Sequence, residues 1–439
     1  MKTLQVRTLG CSKNTVDTEH LLYQLREYYE IVPEEEICPV DVLLVNTCGF
    51  IGDAKQQSID AILAAAERKK AGDVGRLLVF GCLSQRYASE LPELIPEVDG
   101  WFGARSQDGL LKALGIRTPS TDSHKRVLTT PGRPYAYLKI SEGCDRRCSY
   151  CAIPLIRGPH RSVPMEVLEE EARFLASQGI RELILIAQDT TYYGLDLYRE
   201  RMLGALLKRL SSIDGIEWLR IHYSYPADFP EDVLDQMARN PKVCRYMDIP
   251  LQHISDKVLE AMHRQVDGAW TRSLIARMRE TVPGLALRTT LIVGHPGEDR
   301  EAFRELLAFV KEARFERMGA FAYSEEEGTY GAAHFPDTVT PRTKRRRLDR
   351  LMTLQRGISL AYNQSRIGTE TRVLVDDFAD GILVTRSEFE SPEVDGEILV
   401  PYNREAFGGI EPYSLVGSFL DVRITGADDY DMTAELLRI

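Results

Sequence analysis

Short apolar runs alternate with helical stretches through most of the chain, and this alternation restricts the fold more than any other feature. Residues 41–46 (DVLLVN), 76–81 (RLLVFG) and 182–187 (ELILIA) are strand-like and apolar on both faces. Strands of that kind lie in parallel sheets covered by helices on both sides. Residues 1–117 predict strand 4–9, helix 15–28, strand 41–46, helix 53–70 and strand 76–81, a parallel α/β sheet domain. Such sheets place their sites at the carboxyl ends of the strands.

Residues 118–134 (TPSTDSHKRVLTTPGRP) are polar and rich in Pro, Thr and Ser, as a linker is. The alternation then resumes. Strands are predicted at 137–141, 182–187, 218–222, 246–249, 288–293 and 317–322, with helices including 165–177, 228–239 and 298–313. Six strand–helix units predict an open or partial (βα)6 barrel. A doubly wound sheet competes, and periodicity does not separate the two. A trailing basic helix at 340–366, carrying Lys344, Arg345, Arg346 and Arg347, closes a core spanning 135–366. Residues 367–439 switch to short strands with turn signals at Asp380-Gly381 and Asp395-Gly396, the pattern of a small OB-like β-barrel. The expected fold is therefore α/β and multidomain.

The net charge of −11 is unevenly placed. Residues 367–439 hold five Arg, no Lys and sixteen carboxylates, a balance of −11, while the rest of the chain is neutral. Such a segment repels nucleic acid and attracts basic partners, or serves solubility alone. No apolar run approaches the ~20 residues of a membrane span, and the N-terminus reads straight into a strand with no export signal. A cytoplasmic location with no membrane partner is expected, and there grouped cysteines bind metal or react more often than they pair.

Eight cysteines fall into two patterns and a remainder. Cys144, Cys148 and Cys151 follow the first barrel strand with the spacing C-x3-C-x2-C, which can aim three thiolates at one iron–sulfur cube. Three ligands leave one iron open to another molecule. The competing reading is a zinc site completed by His160. Cys11 (Leu9-Gly-Cys-Ser-Lys-Asn14), Cys48 (Asn46-Thr-Cys-Gly-Phe50) and Cys82 (Phe80-Gly-Cys-Leu-Ser-Gln85) each end a strand of the first sheet. One such cysteine alone reads as core; three at equivalent strand ends read as a second cluster site. Cys38 and Cys244 lack that context and are assigned nothing.

The triplet, with Tyr150 before its last cysteine, resembles the radical SAM signature. The order of a cysteine-bearing sheet domain, a radical SAM core and a TRAM-like barrel covers essentially the whole length and resembles the methylthiotransferases. Within them, Leu9-Gly-Cys-Ser-Lys-Asn14 with Val16-Asp17, Ala187-Gln-Asp-Thr-Thr191, Tyr223-Ser-Tyr-Pro226 and Asp248-Ile-Pro-Leu-Gln-His253 resemble the RimO family. The resemblance implies two [4Fe–4S] clusters, S-adenosylmethionine bound at the open iron of the Cys144–Cys148–Cys151 cluster, and an external electron donor. It implies methylthiolation of the β-carbon of an aspartate in protein twelve of the small ribosomal subunit, free or within the ribosome. It also implies cofactor contacts at Tyr150 near the adenine, at Gln188 and Asp189 toward the polar end, and at Gly294 beside the adenosine. The sister MiaB family, acting on an isopentenylated adenosine in tRNA, is the alternative, and the acidic C-terminal segment speaks against it. An iron–sulfur scaffold or electron carrier would leave the barrel without a purpose. His253 and His295 read as structural, and Lys344–Arg347 as a solvated helix face or an RNA contact.

Overall fold

The computed structural model describes residues 1–116, 120, 122 and 124–439, so part of the expected linker lies outside the described residues. Five parallel strands form the N-terminal sheet: β1 (Lys2–Thr8), β2 (Tyr29–Val32), β3 (Val40–Thr47), β4 (Val74–Gly81) and β5 (Gly100–Gly103), in the order β2-β1-β3-β4-β5. Helices Ser12–Leu25 and Gly52–Lys70 follow β1 and β3. The chain leaves β1 toward one side and β3 toward the other, so the carboxyl ends of β1 and β3 flank a topological switch point.

The central sheet contains β6 (Tyr135–Lys139), β9 (Glu182–Ile186), β10 (Trp218–Ile221), β11 (Val243–Asp248), β12 (Ala286–Val293) and β13 (Arg317–Ala322), all parallel. A two-residue pair, β7 (Ser141–Glu142) and β8 (Arg161–Ser162), brackets the cysteine loop. The strand order β13-β12-β11-β10-β9-β6 follows the sequence without reversal. A doubly wound sheet must reverse, so the partial barrel is the observed fold. Leu183 and Leu185 pack outward with helices Met165–Ser177 and Leu203–Ser211, while Ile184 and Ile186 turn to the other face with Tyr137, Tyr223 and Val16 of the N-terminal domain.

Strands β14 (Glu370–Ala379), β15 (Ile382–Arg386), β16 (Ile398–Pro401), β17 (Phe419–Ala427) and β18 (Met432–Arg438) close the C-terminal barrel. Its segment 387–395 lies across the amino ends of the central strands. Arg317 and Arg366 both reach Glu390, at 3.0 and 2.5 Å. The Tyr246 hydroxyl donates to Asp395, Arg245 to Glu388, and Tyr135 and Tyr137 to Glu393. Buried Arg386 of the barrel reaches Glu182 at 2.8 Å and also pairs with Asp376.

Two charge readings change accordingly. Glu388, Glu390 and Asp395 of the C-terminal segment are paired with arginines of the core, so net charge overstates what remains for a partner. The run 344–347 is not one solvated face. Lys344 and Arg347 are buried, the former donating to the Tyr323 carbonyl at 2.9 Å and the latter pairing with Glu298 at 3.1 Å. Arg345 and Arg346 alone are exposed there. Among the described residues, no helix is long and apolar enough to cross a membrane.

Candidate functional site

The switch point brings Cys11, Cys48 and Cys82 together from three strand ends. Cys11 stands before helix Ser12–Leu25, Cys48 directly after β3, and Cys82 opens helix Cys82–Arg86. Asn14 knots the turns: its amide donates to the Leu9 carbonyl at 2.7 Å and to the Thr47 carbonyl at 3.1 Å. Gly10, at φ +100°, has no room for a side chain, since a Cβ there would sit 2.7 Å from Cys48 Cβ. Burial pushes the Cys48 thiol up and the Cys82 thiol up to about 11, and the neighbouring thiols add to the rise at both.

The second trio sits on the loop after β7. The Cys144 amide donates to the Gly158 carbonyl at 3.0 Å, and Ser149 ties the loop to Met262 at 3.0 Å. Burial pushes Cys144 up to about 12 and raises Cys151, with Cys148 contributing at both. Thiols that resist ionisation together are those whose thiolates bound cations would stabilise. Among the described residues, no Cys, His, Asp or Glu group converges on a point fit for a single metal ion. A tetrahedral zinc would draw its thiolates to ~2.3 Å from one centre, whereas a cube with an iron at each corner spreads them. His160, the fourth ligand of the competing zinc reading, meets Ser162 at 3.0 Å. Three thiols per site, of which Cys48 and Cys82 are buried and Cys144, Cys148 and Cys151 half-buried, with neighbouring thiols raising two at each site, fit an iron–sulfur cluster.

Arg157 joins the two trios. Its Nε donates to Cys82 Sγ at 3.3 Å, Nη1 to Asp17 at 2.6 Å and Glu142 at 3.1 Å, and Nη2 to Asn14 Oδ1 at 2.5 Å. Burial alone would raise the Glu142 carboxyl, but Lys139 and Arg157 hold it down at about 2. Cys82 also packs with Ala152 and Ile156, directly after Cys151. The two trios therefore face one interdomain cleft.

The expected cofactor contacts are placed unevenly. Gln188 donates to Glu142 at 2.7 Å while its side-chain oxygen is buried without a partner. Tyr150 lies 3.5 Å from Arg264, whose Nη1 is also 3.4 Å from Cys148 Sγ. Asp189 uses both carboxylate oxygens within the protein, on Thr191 and on Arg146 of the cysteine loop at 2.9 Å. Gly294, at φ +78°, would drive a Cβ to 2.4 Å from Lys344 Cγ, so packing against the long helix requires it. His253 Nδ1 accepts from the Ser255 amide at 3.1 Å, while its Nε2 is buried without a partner. Sequence reasoning missed Arg157, Glu142 and the bonding of Asn14. Their only signal was proximity to cysteines, and their partners lie far away in sequence. A cavity of about 500 Å³ lined by Thr8, Glu19, Thr129, Tyr137 and Glu393 touches none of the six cysteines. The chemistry of the donors, not volume, locates the site.

Three family models match the chain: the Radical SAM superfamily over residues 138–310, Uncharacterized protein family UPF0004 over 3–103, and the TRAM domain over 367–437. Among curated proteins, the chain is 50% identical to "Ribosomal protein uS12 methylthiotransferase RimO" of Bacteroides thetaiotaomicron, covering 99% of this chain and 98% of the relative. It is 49% identical to the protein of that name from Porphyromonas gingivalis, covering 99% of both. Among solved structures, the radical S-adenosylmethionine methyltransferase TsrM from Kitasatospora setae aligns with a TM-score of 0.55 at 14% identity, over 88% of this chain and 81% of that one. That likeness shows the fold alone.

Proposed function

The chain belongs to the RimO family of ribosomal protein uS12 methylthiotransferases, and on that footing we propose that it methylthiolates uS12 at the β-carbon of one aspartate, using one [4Fe–4S] cluster on each cysteine trio. It is a radical SAM methylthiotransferase by family. The observation that carries the two-cluster reading is the shared cleft, with Arg157 touching Cys82 on one side and Glu142 of the other cysteine loop on the other. Bound there, the clusters and S-adenosylmethionine would supply one-electron chemistry, a transferable sulfur and a methyl group.

The chain's own residues bind and orient. Cys144, Cys148 and Cys151 would hold the cluster that meets S-adenosylmethionine, and Cys11, Cys48 and Cys82 the one that holds sulfur. Tyr150 would border the adenine, and Gln188 offers its unpartnered oxygen to the cofactor's amine. Asp189 acts through Arg146, which it fixes in the cysteine loop. Gly294 would admit the adenosine only beside the Lys344 stem. An external donor supplies electrons, in the cytoplasm, with uS12 free or within the ribosome. The tRNA reading is disfavoured by the full-length relatives named for uS12.

Mass spectrometry of uS12 from cells with and without the gene tests the substrate, and the expected result is a methylthio mass on one aspartate only when the gene is present. Iron analysis after anaerobic reconstitution tests the sites. About eight irons per chain are expected, falling to about four when Cys144, Cys148 and Cys151 become Ala. An unmodified uS12 in both strains, or a triple variant that keeps all its iron, overturns the reading.

A further inference from the structure

Three of the cations around the cleft have carboxylate partners. Lys139 pairs with Asp17 and Glu142, Arg157 with the same two, and Arg146 with Asp189. Arg264 lies against Cys148 and Tyr150, on the cofactor side, and donates to the Pro250 carbonyl at 2.7 Å. Lys13 differs. It is 7% exposed, and its ammonium stands 3.0 Å from the centroid of the Tyr223 ring. Among the described residues, no carboxylate comes within ion-pair distance of it.

The platform beneath Lys13 is built. Tyr223 follows β10 at φ +59°, a left-handed conformation that strains a tyrosine and is held by its surroundings. Its amide donates to Asp248 at 2.9 Å, and its carbonyl accepts from the Thr190 amide at 3.1 Å. Lys13 comes from the first turn of helix Ser12–Leu25, two residues after Cys11. Val16 of the same helix packs with Ile184, Ile186 and Tyr223 inside the central barrel. The ammonium is thus held at the carboxyl ends of the barrel strands, beside the N-terminal trio. The thiolates of a cluster on that trio would supply part of the counter-charge, and with no carboxylate of the described residues in reach the ammonium is left open to a further anion.

We propose that Lys13, seated on Tyr223, is the substrate-binding residue that receives the side-chain carboxylate of the target aspartate. This rests on the aspartate reading above and adds the group that selects for it. The carbon to be modified is bonded directly to that carboxylate, so pairing with Lys13 would set the β-carbon next to the Cys11–Cys48–Cys82 trio. An asparagine in the same place would offer no charge. An uncharged base edge in the same place would offer none either.

The test is a double-mutant cycle on the holoenzyme, reading the dissociation constant for uS12 and for uS12 with its target aspartate changed to asparagine. Wild type should favour the aspartate form by roughly tenfold to a hundredfold, as a charge-assisted pair does. Lys13→Met should bind both forms alike, and Lys13→Arg should keep most of the preference. Iron content near that of wild type in Lys13→Met shows that the fold and cluster sites persist. If Lys13→Met misfolds, the ratio is read in Lys13→Gln. An undiminished preference in the neutral variants overturns the role of Lys13 while leaving the aspartate reading intact. Absence of any preference in wild type overturns the inference, and loss of uS12 binding altogether overturns the reading beneath it.

Discussion

Replacing Glu390 by Gln should undock the C-terminal barrel, and the size of the effect can be worked two ways. Glu390 is fully buried and accepts from Arg317, Arg366 and the Ser387 amide. Burial alone would raise its carboxyl, but Arg366 and Arg317 hold it at about 2 against an ordinary 4.5. At 1.36 kcal/mol per unit, that difference corresponds to about 3 kcal/mol. Independently, removing one partner of a buried ion pair costs ~3–5 kcal/mol, because the guanidiniums are left buried and uncompensated. Trp218 reports the event. It is buried at this interface, its ring 4.9 Å from Phe419 of the C-terminal barrel. With Trp101 and Trp270 changed to Phe, a urea titration of Trp218 emission should shift its midpoint downward by roughly 1–3 M, taking m as ~1–3 kcal/mol/M. Acid should act in the same direction. The depressed carboxyl contributes fully above pH 4.5, and its contribution is lost as pH falls from there toward 2. A Glu390→Gln unfolding free energy within ~0.5 kcal/mol of wild type would refute the argument.

Gly294→Ala should destabilise the packing of helix Pro341–Ser365 by ~1–3 kcal/mol in thermal unfolding, since it adds a Cβ at φ +78° against Lys344. Asp376→Asn should cost ~1–3 kcal/mol in the Trp218 titration because it leaves buried Arg386 with Glu182 as its one carboxylate, while exposed Asp380→Asn should stay within ~0.5 kcal/mol. If surface acidity steers uS12, Asp380→Asn should weaken association of the full chain at low salt and lose its effect as salt is raised. Arg157→Met, in a chain whose Cys144, Cys148 and Cys151 are Ala, should lower the midpoint potential of the remaining centre by on the order of tens of millivolts, read by EPR-monitored titration. An unchanged potential would separate Arg157 from that centre.

Five of the six central strands were legible as largely buried runs, and the sixth, Arg317–Ala322, from its place in the strand–helix alternation, since Phe321 and Ala322 are exposed. Two strands of the first sheet were not. Tyr29–Val32 and Gly100–Gly103 are its edges; the former is short and half-exposed, and the latter (GWFG) carries two glycines, so neither shows an apolar run or alternation. The cysteines were legible because thiols at strand ends carry their meaning locally. Arg157 and Lys13 were not, since their roles depend on Cys82 and Tyr223, brought near only by domain packing. The C-terminal charge was counted correctly but overvalued. A count does not show that Glu390 meets Arg317 and Arg366 or that Glu388 meets Arg245.

The two cysteine trios differ in when they can exist. Cys144 and Cys151 are seven residues apart, whereas Cys11 and Cys82 are separated by seventy-one. Closing the longer span in a disordered chain costs about 2 kcal/mol more, from the logarithm of the length ratio. It also waits on the ribosome: at ~5–20 residues per second, Cys11 emerges several seconds before Cys82. Until β4 joins β3, the first trio has no shared location, and Cys11 is an isolated thiol open to oxidants. The compact loop can gather its ligands almost as soon as it is made. Loading of the N-terminal site is therefore coupled to completion of the first sheet, and a destabilised β4 should show itself as missing iron at that site before it shows as loss of the barrel fold.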